Sequence, residues 1–262
     1  MPAPQDNRSQ PELSGNSFII VGAPRTGSTL LVRTLNSIPG ICCHGELLNA
    51  GKVVGYVDDF DTINASETER KAHRERLTRW RDSDPEGFLD AALKADSVAG
   101  LKLLYGAILH PRWRETVDSL LAGSRLKIIH LRRRNRLRRY LSEQVMKTTG
   151  ATHSGLGGGA NRFKRNKLHI DVQAFQRSES TIEQQAKKVS ALCSSQPTLE
   201  VDYENLAQDF DSEIRRVTEF LGVDIGSGSI RPALEKIGAN DLREAISNYA
   251  ELAANPLTQA YL

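Results

Sequence analysis

The stretch Phe18-Ile19-Ile20-Val21-Gly22-Ala23-Pro24-Arg25-Thr26-Gly27-Ser28-Thr29-Leu30-Leu31 constrains this chain most. Four apolar residues rich in β-branching predict a short buried strand. A turn bounded by glycines follows, and then a helix whose apolar positions Leu31, Leu35 and Ile38 fall at i, i+4 and i+7. Pro39-Gly40 stops that helix. A strand, a tight glycine loop and a helix N-terminus together make an anion site, because backbone N–H groups converge there and the helix dipole favours negative charge.

The spacing Gly22-x4-Gly27 resembles a P-loop, yet Ser28 and Thr29 follow the second glycine where a lysine is expected, and the cation is Arg25, inside the loop. The loop should grip a phosphate-like group while lacking the residue that reaches the β/γ-phosphates of a nucleotide triphosphate. The plain alternative is an ordinary strand-to-helix turn. Pro24-Arg25-Thr26-Gly27-Ser28-Thr29-Leu30 resembles the 5′-phosphosulfate loop of sulfotransferases that use 3′-phosphoadenosine 5′-phosphosulfate (PAPS). Its arginine form is most similar to bacterial carbohydrate sulfotransferases of the trehalose and nodulation-factor type; cytosolic eukaryotic relatives usually carry lysine where Arg25 stands. The resemblance implies PAPS as co-substrate, with Arg25, Thr26, Gly27, Ser28, Thr29 and Leu30 around its phosphosulfate.

Three further stretches extend the resemblance. His44-Gly45-Glu46 is similar to a family segment that lines the acceptor side. An acceptor hydroxyl must lose a proton as it attacks sulfur, and Glu46, beside a glycine and between apolar residues, is the candidate base, with His44 as local competitor. The alternative for Glu46 is a surface carboxylate capping a short helix. Lys102 interrupts the apolar run Val98 to Tyr105. A lysine there must end at a cavity or a polar partner, because a bare buried ammonium is costly; the family's equivalent lysine points into the cleft, and the alternative is a snorkelling edge lysine. The strand Leu126 to Leu131 runs into Arg132-Arg133-Arg134-Asn135 and then a helix with Leu137, Tyr140, Leu141 and Val145 on its inner side. Arg134 and Ser142, eight residues on, resemble the family's 3′-phosphate motif, and an arginine fork plus a hydroxyl suits a phosphomonoester. Arg136 departs from the proline usual in cytosolic members. Finally, Val201-Asp202-Tyr203-Glu204-Asn205-Leu206 is similar to a largely structural family element that closes the sheet and leads into a helix.

Composition bounds these readings. At 262 residues the chain suits one α/β domain, 17–262, after a polar leader, 1–16, expected to be disordered and with neither signal-peptide nor anchor character. No apolar run is long enough to span a membrane. The formal charge of +3 implies no polyanion partner by itself. Eight basic residues and no acidic one lie between Arg125 and Arg139, which raises nucleic-acid binding as a rival. No aromatic platform accompanies them, and the bland reading, a solvated helix face, suits Arg138 or Arg139. Three cysteines, two of them adjacent, form neither a metal-ligand spacing nor a disulfide framework, so no metal is expected and a reducing cytoplasm fits. His130 reads as a core histidine. Ser66 to Arg81 reads as a charged, solvated helix with a capping box at Ser66 and Glu69. The glycine-rich stretch 154–160 reads as a flexible loop over the cleft or, alternatively, a featureless surface loop, and Ala207 to Leu221 and the final stretch through Lys236 and Leu252 as helices.

Alternating strands and helices predict an α/β fold, a P-loop-like, mostly parallel sheet flanked by helices on both faces, with its site at the C-terminal strand ends. The function expected is PAPS-dependent sulfuryl transfer to a hydroxyl of a glycan or small metabolite. Arg25, Glu46 and Lys102 are the catalytic candidates, and Arg134 and Ser142 the holders of the 3′-phosphate. A P-loop small-molecule kinase and a non-enzymatic nucleic-acid binder are the alternatives; the kinase would need the P-loop lysine and an acidic Mg²⁺ ligand at a strand end.

Overall fold

The structure is a computed structural model that describes residues 17–94, 98–123, 126–149, 167–232 and 241–262. In chain order its elements are β1 (Ser17–Gly22), α1 (Ser28–Leu35), β2 (Ile41–His44), α2 (Glu67–Ser83), α3 (Pro85–Leu93), β3 (Val98–Leu104), α4 (Tyr105–Ile108), a 3-10 turn (Pro111–Trp113) and α5 (Arg114–Ala122). Then follow β4 (Leu126–Arg132), α6 (Arg136–Thr149), α7 (Val172–Leu192), β5 (Thr198–Asp202), α8 (Tyr203–Gln208), α9 (Phe210–Leu221), α10 (Leu242–Ala245), α11 (Tyr249–Ala254) and α12 (Pro256–Gln259).

The strands form one sheet in the order β2-β3-β1-β4-β5, and every pairing is parallel. Burial on both faces is why β1 is apolar almost throughout, and all six of its residues are buried. Side chains alternate across it. Phe18 and Ile20 join a core with Leu31 and Leu35 of α1 and Ile214, Val217 and Leu221 of α9. Ile19 and Val21 join the opposite core, with Phe88 and Leu89 of α3, Val117 and Leu120 of α5 and Val189 of α7. Each such side chain stabilises the fold by about 1.5–3 kcal/mol when removed from water. A third cluster ties α6 and α7 to the C-terminal helices through Leu137, Tyr140, Phe175, Leu242 and Leu252. β1 and β4 are neighbours whose outgoing connections run to opposite sides of the sheet, to β2 and to β5, and the crevice that opens at their C-terminal ends is the usual ligand position of such sheets.

Several sequence expectations need correction. Cys42 and His44 belong to an edge strand, β2, which four residues beside a turn did not signal. The helix expected over Ala207 to Leu221 is two helices, divided where Asp209 leaves helical geometry (φ −138°) and caps α9 through its side chain. The final helical stretch is three short helices, because Asn248 and Asn255-Pro256 end and restart it. Arg139, one of the two alternatives read for the solvated face, is instead buried at 2% exposure and paired with Glu143 at 2.8 Å and Glu179. A period-based reading sees an arginine on a polar stripe and cannot see α7 packing over it. The leader, the glycine-rich stretch 154–160 and Lys236 lie outside the described residues. The capping box at Ser66 and Glu69 is present in full.

Candidate active site

The loop between β1 and α1 is shaped by two unusual backbone conformations. Gly27 has φ 90°, and a Cβ there would fall 2.5 Å from Tyr203 Cδ2, so only glycine lets the turn lie against that ring. Arg25 has φ 69°, the one left-handed non-glycine residue among those described. That conformation costs roughly 1–2 kcal/mol in an L-residue, so its surroundings must hold it. They do: Arg133 Nη1 donates to the Arg25 carbonyl at 3.1 Å, Arg25 Nε donates to Ser142 Oγ at 3.0 Å, and Thr26 Oγ1 donates to Ala23 O at 2.9 Å. Helix α1 starts at Ser28 with no side-chain cap, so its first-turn N–H groups are left for a ligand.

Two guanidinium groups converge on this loop. Burial draws the pKa of Arg25 below its ordinary value, with the Glu143 charge opposing, and burial does the same at Arg133. The Arg133 guanidinium lies 4.5 Å over the Tyr203 ring, and its Nε is buried without a hydrogen-bond partner among the described residues. A buried donor without a partner beside this loop suits an oxygen acceptor of an anionic ligand. Sequence reasoning missed Arg133 and Tyr203. Four arginines within five residues hide which one turns inward, and Tyr203 lies far along the chain.

Across the crevice, Lys102 Nζ sits 2.8 Å from Glu46 Oε1 and 3.5 Å from Thr29 Oγ1. Its register opposite Ile20 on β1 sends it to the α1 face of the sheet, where it ends at a polar partner rather than at bulk water. The Lys102 side chain is 9% exposed and that of Glu46 24%, so the pair is only partly screened. Asn49 Nδ2 donates to Glu46 Oε2 at 3.1 Å and fixes the carboxylate's other oxygen. Ammonium, carboxylate and loop hydroxyl thus stand in one group, suited to accept a proton next to a bound anion.

His44 is built differently. Its Nε2 donates to Ala92 O at 2.8 Å and its Nδ1 accepts from Val57 N–H at 3.0 Å, so both nitrogens are occupied. Burial holds its pKa below the ordinary value, partly offset by the Ala92 contact and the Asp58 charge. A neutral histidine with no spare lone pair has nothing with which to take a proton. His130 is buried and shares a 2.6 Å hydrogen bond with the Tyr105 hydroxyl.

Arg134 and Ser142 are not joined directly. Ser142 accepts from Arg25, while Arg134 donates to Asn205 Oδ1 at 3.0 Å and lies 3.8 Å from Asp202 and 3.9 Å from Glu204. Glu204 also accepts from the backbone N–H groups of Arg134 and Asn135, each at 3.0 Å, so the Tyr203-Glu204-Asn205 element holds the turn into α6. Among the described residues no group of three or more His, Cys, Asp or Glu side chains is placed to hold a metal ion, and no helix is long and apolar enough to cross a membrane.

A glycine turn at the switch point of a parallel sheet, ringed by cations and facing a carboxylate, defines a P-loop-like α/β protein that handles an anionic group. The family model described as the sulfotransferase domain matches residues 16–255, and the chain belongs to that family. Its chemistry is accordingly sulfuryl transfer. The sulfotransferase domain of the curacin biosynthetic pathway is similar at 16% identity and TM-score 0.53, covering 94% of this chain and 89% of the other. The sulfotransferase domain of the Synechococcus PCC 7002 olefin synthase is similar at 17% identity and TM-score 0.50, covering 92% and 89%. A sulfotransferase from Alicyclobacillus acidocaldarius aligns at 18% identity and TM-score 0.46, over 94% and 95%. No curated protein matches the chain in sequence.

Proposed function

We propose that this chain transfers the sulfuryl group of PAPS to a hydroxyl of a carbohydrate or small metabolite, giving a sulfate ester and adenosine 3′,5′-bisphosphate. The observation that carries this is the pairing, within one crevice, of the Arg25 loop with the Glu46–Lys102 group, joined through Thr29. The donor set fits a phosphosulfate: uncapped N–H groups at Ser28, two inward guanidinium groups and one unsatisfied Arg133 Nε. PAPS supplies an activated sulfur on a phosphate leaving group. Glu46 takes the proton of the attacking hydroxyl. Arg25 and the N–H groups of Thr26 to Leu30 neutralise charge gathering on the leaving phosphate, and Lys102 holds positive charge between loop and base. Arg134 and Ser142 hold the 3′-phosphate. The Arg134 side chain is 59% exposed and its two ion pairs are long, at 3.8 and 3.9 Å; such pairs contribute about 0–1 kcal/mol, so a phosphate competes with them and with the Asn205 hydrogen bond for the guanidinium.

A kinase reading would need an acidic ligand where β4 ends, and β4 ends at Arg132. Incubation with ³⁵S-labelled PAPS and a panel of glycans and hydroxylated metabolites tests the proposal. Label should move to an acceptor, and transfer of γ-phosphate from labelled ATP instead would overturn it.

A further inference from the structure

Between the loop that follows Glu46 and α2 the structure carries a cavity of about 370 Å³ that none of the roles above uses. The loop residues Gly51 and Lys52 form one wall, and Lys71, Arg74, Glu75 and Arg79 of α2 form the other. The α2 positions recur at three- and four-residue steps and so share one face of the helix. The sequence reads α2 as a solvated helix, yet this stripe sets three cations against one carboxylate around a concave surface, and Lys52 adds a fourth from the loop. Lys71 leans on Glu75 at 4.0 Å, an exposed, weakly coupled pair. The side chains of Lys52, Arg74 and Arg79 have no ion pair among the described residues.

The cavity is tied to the Glu46 carboxylate by a short chain of contacts. Asn49 Nδ2 donates to Glu46 Oε2 and Gly51 N donates to Asn49 Oδ1, each at 3.1 Å, so one amide group separates the carboxylate from the cavity wall. The intervening loop is pinned to α2. Val53 N donates to Thr78 Oγ1 at 3.1 Å, and Arg81 Nη1 donates to Leu47 O at 3.1 Å and Asn49 O at 2.6 Å. The backbone of this wall is therefore held in place before any ligand arrives.

We propose that the acceptor is an acidic molecule: a carboxylate or phosphate near the sulfated hydroxyl sits in this cavity on Lys52, Arg74 and Arg79. The inference rests on Glu46 marking the acceptor side, and it narrows the acceptor from carbohydrates and metabolites in general to anionic ones. Arginine forks recognise both groups bidentately, and the net positive wall steers an anion toward the base in a salt-dependent way.

Calorimetry on the full chain saturated with adenosine 3′,5′-bisphosphate tests it, with tetragalacturonate, phosphorylated maltotetraose and neutral maltotetraose as probes. Wild type should bind at least one charged probe about tenfold or more tighter than the neutral one, and which one separates carboxylate from phosphate recognition. Arg74→Gln with Arg79→Gln should remove most of that preference, while Glu75→Gln should strengthen it about threefold. Unchanged nucleotide affinity in the variants shows that they fold and that the donor site is intact. Equal binding of all three probes by wild type, or a preference that survives Arg74→Gln with Arg79→Gln, overturns the inference. Failure of the nucleotide itself to bind wild type would instead count against the PAPS reading, whatever the saccharides do.

Discussion

Replacing Glu46 by glutamine and Lys102 by methionine, singly and together, separates what this pair does for chemistry from what it does for the fold. At 2.8 Å, with side chains 9% and 24% exposed, the charges attract by roughly 6 kcal/mol at an effective dielectric of about 20, most of which desolvation offsets. A charge-assisted hydrogen bond of this kind leaves a net coupling of about 1.5–3 kcal/mol, the value expected from a urea-unfolding double-mutant cycle. Glu46→Gln keeps the shape and an acceptor oxygen for Lys102 but removes the base. Turnover should fall about 10²–10⁴-fold with affinity for adenosine 3′,5′-bisphosphate near wild type. Lys102→Met should lower turnover as well, and far less once Glu46 is already glutamine, since the two act as a unit. Near-normal turnover of Glu46→Gln alongside a coupling of about 2 kcal/mol would refute the base assignment and leave the pair a structural one. His44 offers no substitute, because both its ring nitrogens are engaged.

Three other outcomes follow from the same structure. Arg25→Ala removes the cation beside the leaving phosphate, so turnover should fall by a larger factor than product-nucleotide affinity; equal losses in both would assign Arg25 to binding alone. Transfer should proceed in excess EDTA, and its abolition with rescue by Mg²⁺ would favour the kinase alternative. Burial keeps His44 and His130 below the ordinary 6.5, so they stay neutral while the unfolded chain takes up protons, and stability should drop as pH falls below 6.5 toward the lowered folded values. The slope is at most about 2.7 kcal/mol per pH unit for the two together. Burial pushes Glu179 up from 4.5, which acts in the opposite sense as pH rises through its folded value. Urea midpoints at pH 7.5 and 6.0 that coincide would contradict the histidine contribution.

What was legible in the sequence was what local chemistry dictates. The run Phe18 to Val21 and the turn Gly22 to Gly27 read as strand and anion loop because burial and positive φ each demand particular residues. Lys102 in an apolar run announced a polar partner for the same reason, and Glu46 was a candidate base before the two were seen together. The remaining site depends on chain crossings that no local pattern encodes. Arg25 meets Ser142 across 117 residues of sequence and Arg133 lies over Tyr203, while Arg134, the arginine the motif singled out, leans outward on Asn205. Four clustered arginines look alike in a sequence, and only packing sorts Arg133 over a ring, Arg132 onto the Glu200 and Asp202 carboxylates, Arg134 onto Asn205 and Arg136 towards Glu183. The breaks at Asp209 and Asn255-Pro256 were visible as residues, but side-chain capping there won over the apolar period that suggested continuous helices.

Titration of adenosine 3′,5′-bisphosphate against AMP tests the proposal that the crevice is built for a nucleotide carrying a 3′-phosphate. Engagement of one additional phosphate by Arg134 and Ser142 should make the bisphosphate bind about 10- to 150-fold tighter, an advantage worth about 1.5–3 kcal/mol. Arg134→Ala with Ser142→Ala should bring the two affinities together by weakening only the bisphosphate. Equal affinities of the wild-type protein for the two nucleotides would contradict the claim.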